Sequence, residues 1–285
     1  MKRLLLSFFV LTTVSFAQTG SNEFEVRTIS SGGNFDIHCY KSLGPYNLDN
    51  DEFGEFIAVF HDGIRIFEAT SDDNYILRST FDFVEENNGN FSGGVTFGDV
   101  DNDGNKEIVY VYGTVSPTAG YIRILEVNTS TFVISEHTNS PISGSSNVSG
   151  YPLKVEYFGD SDDDSNGEFV VLSNAENAND TNGDLTLYEW NGSSGWSTVS
   201  TYTFSHNMVV GQLAVGNVDN DTNNEIITAF TSLDIFKFEG GSISTDDTVS
   251  NNLPSSRDAS ALTIDDIDNN GTNEIIVGTD TEMDQ

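Results

Sequence analysis

The sequence predicts an all-β fold, a β-propeller of four-stranded antiparallel blades, and three observations predict it. A nine-residue acidic pattern returns five times, at 47–55, 99–107, 160–168, 217–225 and 266–274. Its first positions lie 52, 61, 57 and 49 residues apart, a period that belongs to propellers and solenoids. No long window carries an amphipathic helical period, whereas 26 Gly and many Asn and Asp punctuate β-branched and aromatic runs.

The chain opens with Lys2-Arg3, an apolar stretch from Leu4 to Phe16 and a small residue at Ala17, the layout of a secretory signal peptide over 1–17. That stretch is shorter than the roughly 20 apolar residues of a membrane span. The mature chain, 18–285, is therefore expected to be secreted or displayed at the cell surface, without membrane insertion. It holds a single Cys, Cys39, and so no internal disulfide, which leaves metal sites as the staple available to an exported fold.

Within each repeat four strand signals follow one another. In the second they are Gly94-Val-Thr-Phe before the acidic loop, Ile108 to Tyr112 after it, Tyr121 to Val127, and Thr131 to Ser135. Third strands elsewhere are expected at Gly63–Phe67, Asp184–Tyr188 and Leu233–Phe238. The fifth repeat shows only its first two strands, Ala261–Ile264 and Glu274–Val277, before the sequence ends. Phe24 to Ile29 is a candidate outer strand to close the last blade. A shortened ring and the front part of a larger propeller both fit this count.

The acidic loops place an oxygen-bearing side chain at positions 1, 3, 5 and 9. The sets are Asn47, Asp49, Asp51, Glu55; Asp99, Asp101, Asp103, Glu107; Asp160, Asp162, Asp164, Glu168; Asn217, Asp219, Asp221, Glu225; and Asp266, Asp268, Asn270, Glu274. Carboxylates this dense repel one another unless solvent or a cation compensates them. Calcium, with six to eight oxygen ligands and flexible geometry, suits the set better than magnesium, and up to five ions are expected. The backbone carbonyl at position 7 (Phe53, Asn105, Asn166, Asn223, Thr272) is the candidate main-chain ligand. An EF-hand is excluded: it requires Glu at position 12 and flanking helices, and position 12 is Ala58, Tyr110, Val171, Thr228 and Val277.

The segments Phe97-Gly98-Asp99-Val-Asp-Asn-Asp-Gly104 with Glu107-Ile-Val, Phe158-Gly159-Asp160 and Val215-Gly216-Asn217 resemble the FG-GAP or VCBS repeat family, over essentially all of 35–280. The resemblance implies a propeller similar to that of integrin α subunits, calcium held between the first two strands of a blade, and a secreted adhesion or carbohydrate-related role. The chain departs from the family at loop position 6, where Gly is usual. Only Gly104 and Gly271 supply it, with Glu52, Ser165 and Thr222 elsewhere, so the second and fifth loops are expected to bind best. The Gly-Ala-Pro half of the family motif has no match.

A formal charge of −34, or −36 once Lys2 and Arg3 are removed, makes nucleic acid and anionic membranes poor partners. The expected role is recognition of an extracellular protein or glycan ligand, with calcium mainly structural and no catalytic residue assigned. The alternative is a polysaccharide lyase or other carbohydrate-active enzyme, with His38 or His61 as base. Trp190 and Trp196, flanking a turn, read either as a sugar-stacking pair or as packing between blades.

Overall fold

In the computed structural model, the described residues are 13–14, 18–19, 23–24, 29–30, 39–51, 53–60, 63–71, 74–83, 91–115, 118–142, 152–162, 164–173, 182–190, 195–205, 211–219, 221, 223–230, 232–249 and 259–279. They contain strands and no helix, and so no helix long and apolar enough to cross a membrane. Four four-stranded antiparallel sheets follow one another, each a meander in chain order. Blade one comprises Cys39–Tyr46, Glu55–Phe60, Gly63–Ser71 and Asn74–Asp82; blade two Phe91–Gly98, Lys106–Val115, Thr118–Val127 and Ile134–Pro141. Blade three comprises Pro152–Gly159, Glu168–Ser173, Asp184–Trp190 and Trp196–Thr203; blade four Gln212–Gly216, Glu225–Ala229, Leu233–Glu239 and Ser242–Val249. Ala259–Asp265 and Glu274–Thr279 form a fifth, two-stranded sheet. These are propeller blades, and among the described residues the fifth repeat contributes two strands.

The signal segment lies outside the described residues except for Thr13–Val14, which pairs with Ile29–Ser30. Of the candidate closing strand only Phe24 and Ile29 are described, in short pairs with Gln18 and Val14 rather than with the fifth sheet.

The chain divides into two packed units, 1–86 with 127–135 and 87–126 with 136–285. In the first, Phe56, Ala58, Phe60 and Phe67 form the core of blade one, with the Phe56 and Phe67 rings stacked at 4.9 Å. In the second, the first strand of blade three lies against the first strands of blades two and four, and that of blade four against that of blade five. Two cores fill the gaps. Val109, Val111, Ile122, Ile124, Phe169 and Trp190 pack between blades two and three; Leu172, Leu185, Leu187, Phe204, Leu213 and Phe236 between blades three and four.

This layering explains why the second strands of blades three and four, Glu168–Ser173 and Glu225–Ala229, are buried along their whole length instead of alternating. Alternation survives in the outermost strands: Trp196–Thr203 swings between half-buried and exposed. Glycines set how closely the first strands approach. A Cβ at Gly94 would lie 2.9 Å from the Val155 backbone nitrogen, and one at Gly98 2.3 Å from the Tyr157 ring.

The fourth strand of blade two begins at Ile134 rather than Thr131. Asn128 explains the shift: its Oδ1 accepts from the backbone N–H groups of Ser130 and Thr131 at 3.2 and 2.9 Å, closing a turn that places Phe132 at φ 58°. Phe132 is buried beneath the Arg78 guanidinium, 4.7 Å from its ring. Trp190 is 1% exposed and sits in the core, paired across strands with Trp196, so packing and not sugar stacking accounts for it.

Candidate metal centres

Each acidic loop joins the first and second strands of a blade. The Glu at position 9 is the first residue of the second strand, or in blade two the second after Lys106, and is paired with the residue just before position 1: Tyr46 with Glu55, Gly98 with Glu107, Gly159 with Glu168, Gly216 with Glu225, and Asp265 with Glu274. The pair closes the loop mouth.

Inside the loop, three hydrogen bonds recur in all five copies. The position 2 N–H donates to Oε2 of the position 9 Glu: Leu48 to Glu55, Val100 to Glu107, Ser161 to Glu168, Val218 to Glu225 and Ile267 to Glu274, at 2.5–3.0 Å. The position 5 N–H donates to Oδ1 at position 3, at 3.0–3.3 Å. The position 7 N–H donates to Oδ1 at position 5, at 2.6–2.8 Å. Each bond uses one oxygen of its side chain; at Asp103 and Asp164 the other oxygen also accepts, from the Nδ2 of Asn105 and Asn166. Backbone N–H groups thus aim the side chains without neutralising them.

The predicted ligands converge. Ligand oxygens of Asp160, Asp162, Asp164 and Glu168 all lie within 4.8 Å of one another, as do those of Asp49, Asp51 and Glu55, of Asp99, Asp101 and Glu107, of Asp219, Asp221 and Glu225, and of Asp266, Asp268 and Glu274. Asp103 stands outside its group, although it accepts the same backbone N–H and Nδ2 bonds from Asn105 that Asp164, inside its group, accepts from Asn166. The amides at position 1 behave differently from the acids there. Asn47 and Asn217 donate through Nδ2 to the position 5 carbonyls of Asp51 and Asp221. Asp99, Asp160 and Asp266 instead accept from the position 6 N–H groups of Gly104, Ser165 and Gly271 at 3.0–3.1 Å. Asn270, the amide at position 5, keeps the common frame.

Position 6 carries positive φ in those three loops: 92° at Gly104, 77° at Ser165 and 90° at Gly271. Ser165 therefore holds the turn that sequence reserved for glycine, and the third loop brings four carboxylates together. Glu52 and Thr222 lie outside the described residues.

Four of the position 9 acids are buried, Glu55 and Glu168 at 0% exposed, Glu107 at 1% and Glu225 at 3%, whereas Glu274 is half-buried. Burial first, then the neighbouring loop acids, raises the Glu107 carboxyl to about 8 against the lowering bond from Val100. Glu168 rises to about 7 for the same leading reason, eased by Ser161, whose hydroxyl and N–H both donate to it. Glu55, Glu225 and Asp101 are raised too, in each case chiefly by burial.

Oε1 of Glu55, Oε1 of Glu168 and Oδ1 of Asp99 are buried with no hydrogen-bond partner. Carboxyl oxygens left so, in a nest of further acids, fit a hard divalent cation that would take them as ligands. Third-strand acids deepen the field: Glu68 is paired with Glu55 and Glu189 with Glu168, and loop three raises Glu189 after its own burial does. Sequence pattern missed both, because an acid at a strand's end reads as solvated.

His137, the histidine among the described residues, bonds Glu126 at 2.8 Å and packs edge-on against Trp190. His38 and His61 lie outside the described residues.

No protein-family model matches the chain, and no curated protein matches it in sequence. Among solved structures it is similar to fructofuranosidase from Schwanniomyces occidentalis. The structure complexed with fructose aligns at TM-score 0.44 and 12% identity over 69% of this chain and 44% of that one. The structure complexed with fructosyl-erythritol aligns at TM-score 0.44 and 12% identity over 69% and 43%. The chain thus spans less than half the length of these structures.

Proposed function

We propose that this chain is an exported calcium-binding propeller of the FG-GAP or VCBS type, in which calcium fixes the blades and the molecule recognises an extracellular protein or glycan. The observation that supports calcium is the common hydrogen-bond frame of five loops, which converges carboxylates while leaving buried oxygens of Glu55, Glu168 and Asp99 without partners. A cation bound there supplies positive charge. The chain's own residues do the rest: Leu48, Val100, Ser161, Val218 and Ile267 orient the glutamates through their N–H groups. The position 7 carbonyl completes the proposed ligand set.

Recurrence favours a structural over a catalytic ion, since a reaction needs one centre and this arrangement is repeated in every blade. Calorimetric titration of the chelated protein with calcium is the test. Several equivalents should bind, with magnesium binding more weakly, and Glu168→Gln should remove one of them. An absence of calcium binding would overturn the proposal.

The carbohydrate-active alternative is separated by turnover. Incubation with uronate-rich polysaccharide and with fructose-containing oligosaccharides should give binding at most, and steady product formation would favour the enzyme.

A further inference from the structure

The second, third and fourth loops are each tied to the blade that follows. The Tyr157 hydroxyl, from the first strand of blade three, donates to the backbone carbonyl of Asp99 at 2.9 Å. Gly167, at position 8 of the third loop, donates its N–H to the carbonyl of Val100 at 3.1 Å. Asp99 and Val100 are positions 1 and 2 of the second loop: one carries an unpartnered buried oxygen, and the other holds Glu107 in place. One blade on, Asn224 Nδ2, again position 8, donates to the Phe158 carbonyl just before the third loop at 3.2 Å. In the next, Asn273 Nδ2, also position 8, donates to the carbonyl of Asn217, position 1 of the fourth loop, at 2.8 Å.

We propose that in this unit the second and fourth cation loops are completed by positioning residues of the next blade, Tyr157 and Gly167 for the second and Asn273 for the fourth, so that ion binding at these loops is energetically coupled to ion binding at the loop that follows. This rests on the calcium reading above. Tyr157 stands three residues before Asp160, and Gly167 directly precedes Glu168, so an ion ordering the third loop also orders both donors to the second. The second ion then meets a loop whose ordering has been partly done, which is positive coupling between sites. Contact leaves no slack to absorb the effect. A Cβ at Gly167 would lie 2.6 Å from the Asp99 carbonyl oxygen and 3.1 Å from Cε2 of Tyr157.

The test is a calorimetric calcium titration of the full chain, paralleled by terbium(III) luminescence excited through tyrosine. Tyr157→Phe, which keeps the ring and removes only the donor, should retain the wild-type ion stoichiometry and weaken one site about fivefold or more. The weakening should vanish when the second loop is already disabled by Glu107→Gln. Glu168→Gln should remove one site and weaken a second, and adding Tyr157→Phe should then cost less than it does alone. Asn273→Ala should weaken a site in the same way at the fourth loop, which serves if Tyr157→Phe does not fold. Wild-type affinities in folded Tyr157→Phe and Asn273→Ala would overturn the coupling while leaving the calcium reading intact. Failure of the wild type to bind calcium would overturn the calcium reading itself, and the coupling with it.

Discussion

At the scale of single residues, Glu107 concentrates the physics of the loops. A carboxyl pushed from 4.5 to about 8 holds a proton in the metal-free folded protein that the unfolded chain has already released. Between those two values the folded state binds more protons, so metal-free stability falls as pH rises. Glu168, raised to about 7, adds to the same slope. The expected outcome is a chelated protein with a higher melting temperature at pH 5 than at pH 8, and a calcium-induced gain that grows over the same interval. Differential scanning calorimetry at both values, with chelator and with excess calcium, checks it. Glu107→Gln should flatten the slope and raise the chelated melting temperature at pH 8, because it removes a buried charge. It should lower the calcium-bound one. A variant that lost stability equally in both states would mark Glu107 as a packing residue only.

At the scale of elements, the repeat was written plainly enough in the sequence for the loops, the strand after each and the blade period to be read. Position 9 decides much of this, since Glu followed by Ile-Val or Phe-Val announces a strand opening. What the sequence hid lies in contacts between neighbours. Tyr157 looks like one more strand aromatic, and nothing in its period shows that its hydroxyl reaches a carbonyl 58 residues earlier. Position 8, occupied by Gly167, Asn224 and Asn273, was the available signal, because two amides and a glycine at one register mark a close approach. Asn128 likewise displaced an expected strand by capping its own turn, a local bond that outbids β-propensity at Thr131 to Val133. Position 6 erred in the other direction: Ser165 adopts the positive φ assigned to glycine.

Two glycine substitutions separate these causes. Gly94→Ala inserts a methyl against the Val155 backbone and should cost about 1–3 kcal/mol through overpacking, in metal-free and calcium-bound protein alike. Gly104→Ala meets nothing within 4 Å and should cost through its φ of 92° alone, on the order of 1–3 kcal/mol. Because that strain bears on the loop that receives Asp99, its effect should be larger on calcium affinity than on the chelated melt. Urea unfolding with and without calcium distinguishes them.

At the scale of the whole molecule, 45 acidic against 11 basic residues set self-repulsion against a modest folding stability. Domains are typically stable by about 5–15 kcal/mol, so the repulsion is not a small correction. Five divalent ions would return ten of the 34 excess negative charges, and they would do so where the carboxylates are densest. An ion held at a hundred times its Kd adds about 2.7 kcal/mol through mass action. For a chain of this size that corresponds to about 5–10 °C in melting temperature per independent site. Chelation should therefore lower the melt by more than a single site explains. Monovalent salt screens distributed charge but cannot ligate Glu55 or Glu168 in their buried positions. Sodium chloride added to the chelated protein should recover only part of the loss, with calcium at equal ionic strength recovering the rest. Full recovery by sodium would mean that the acids act through bulk charge, and the loops would then be solvated turns.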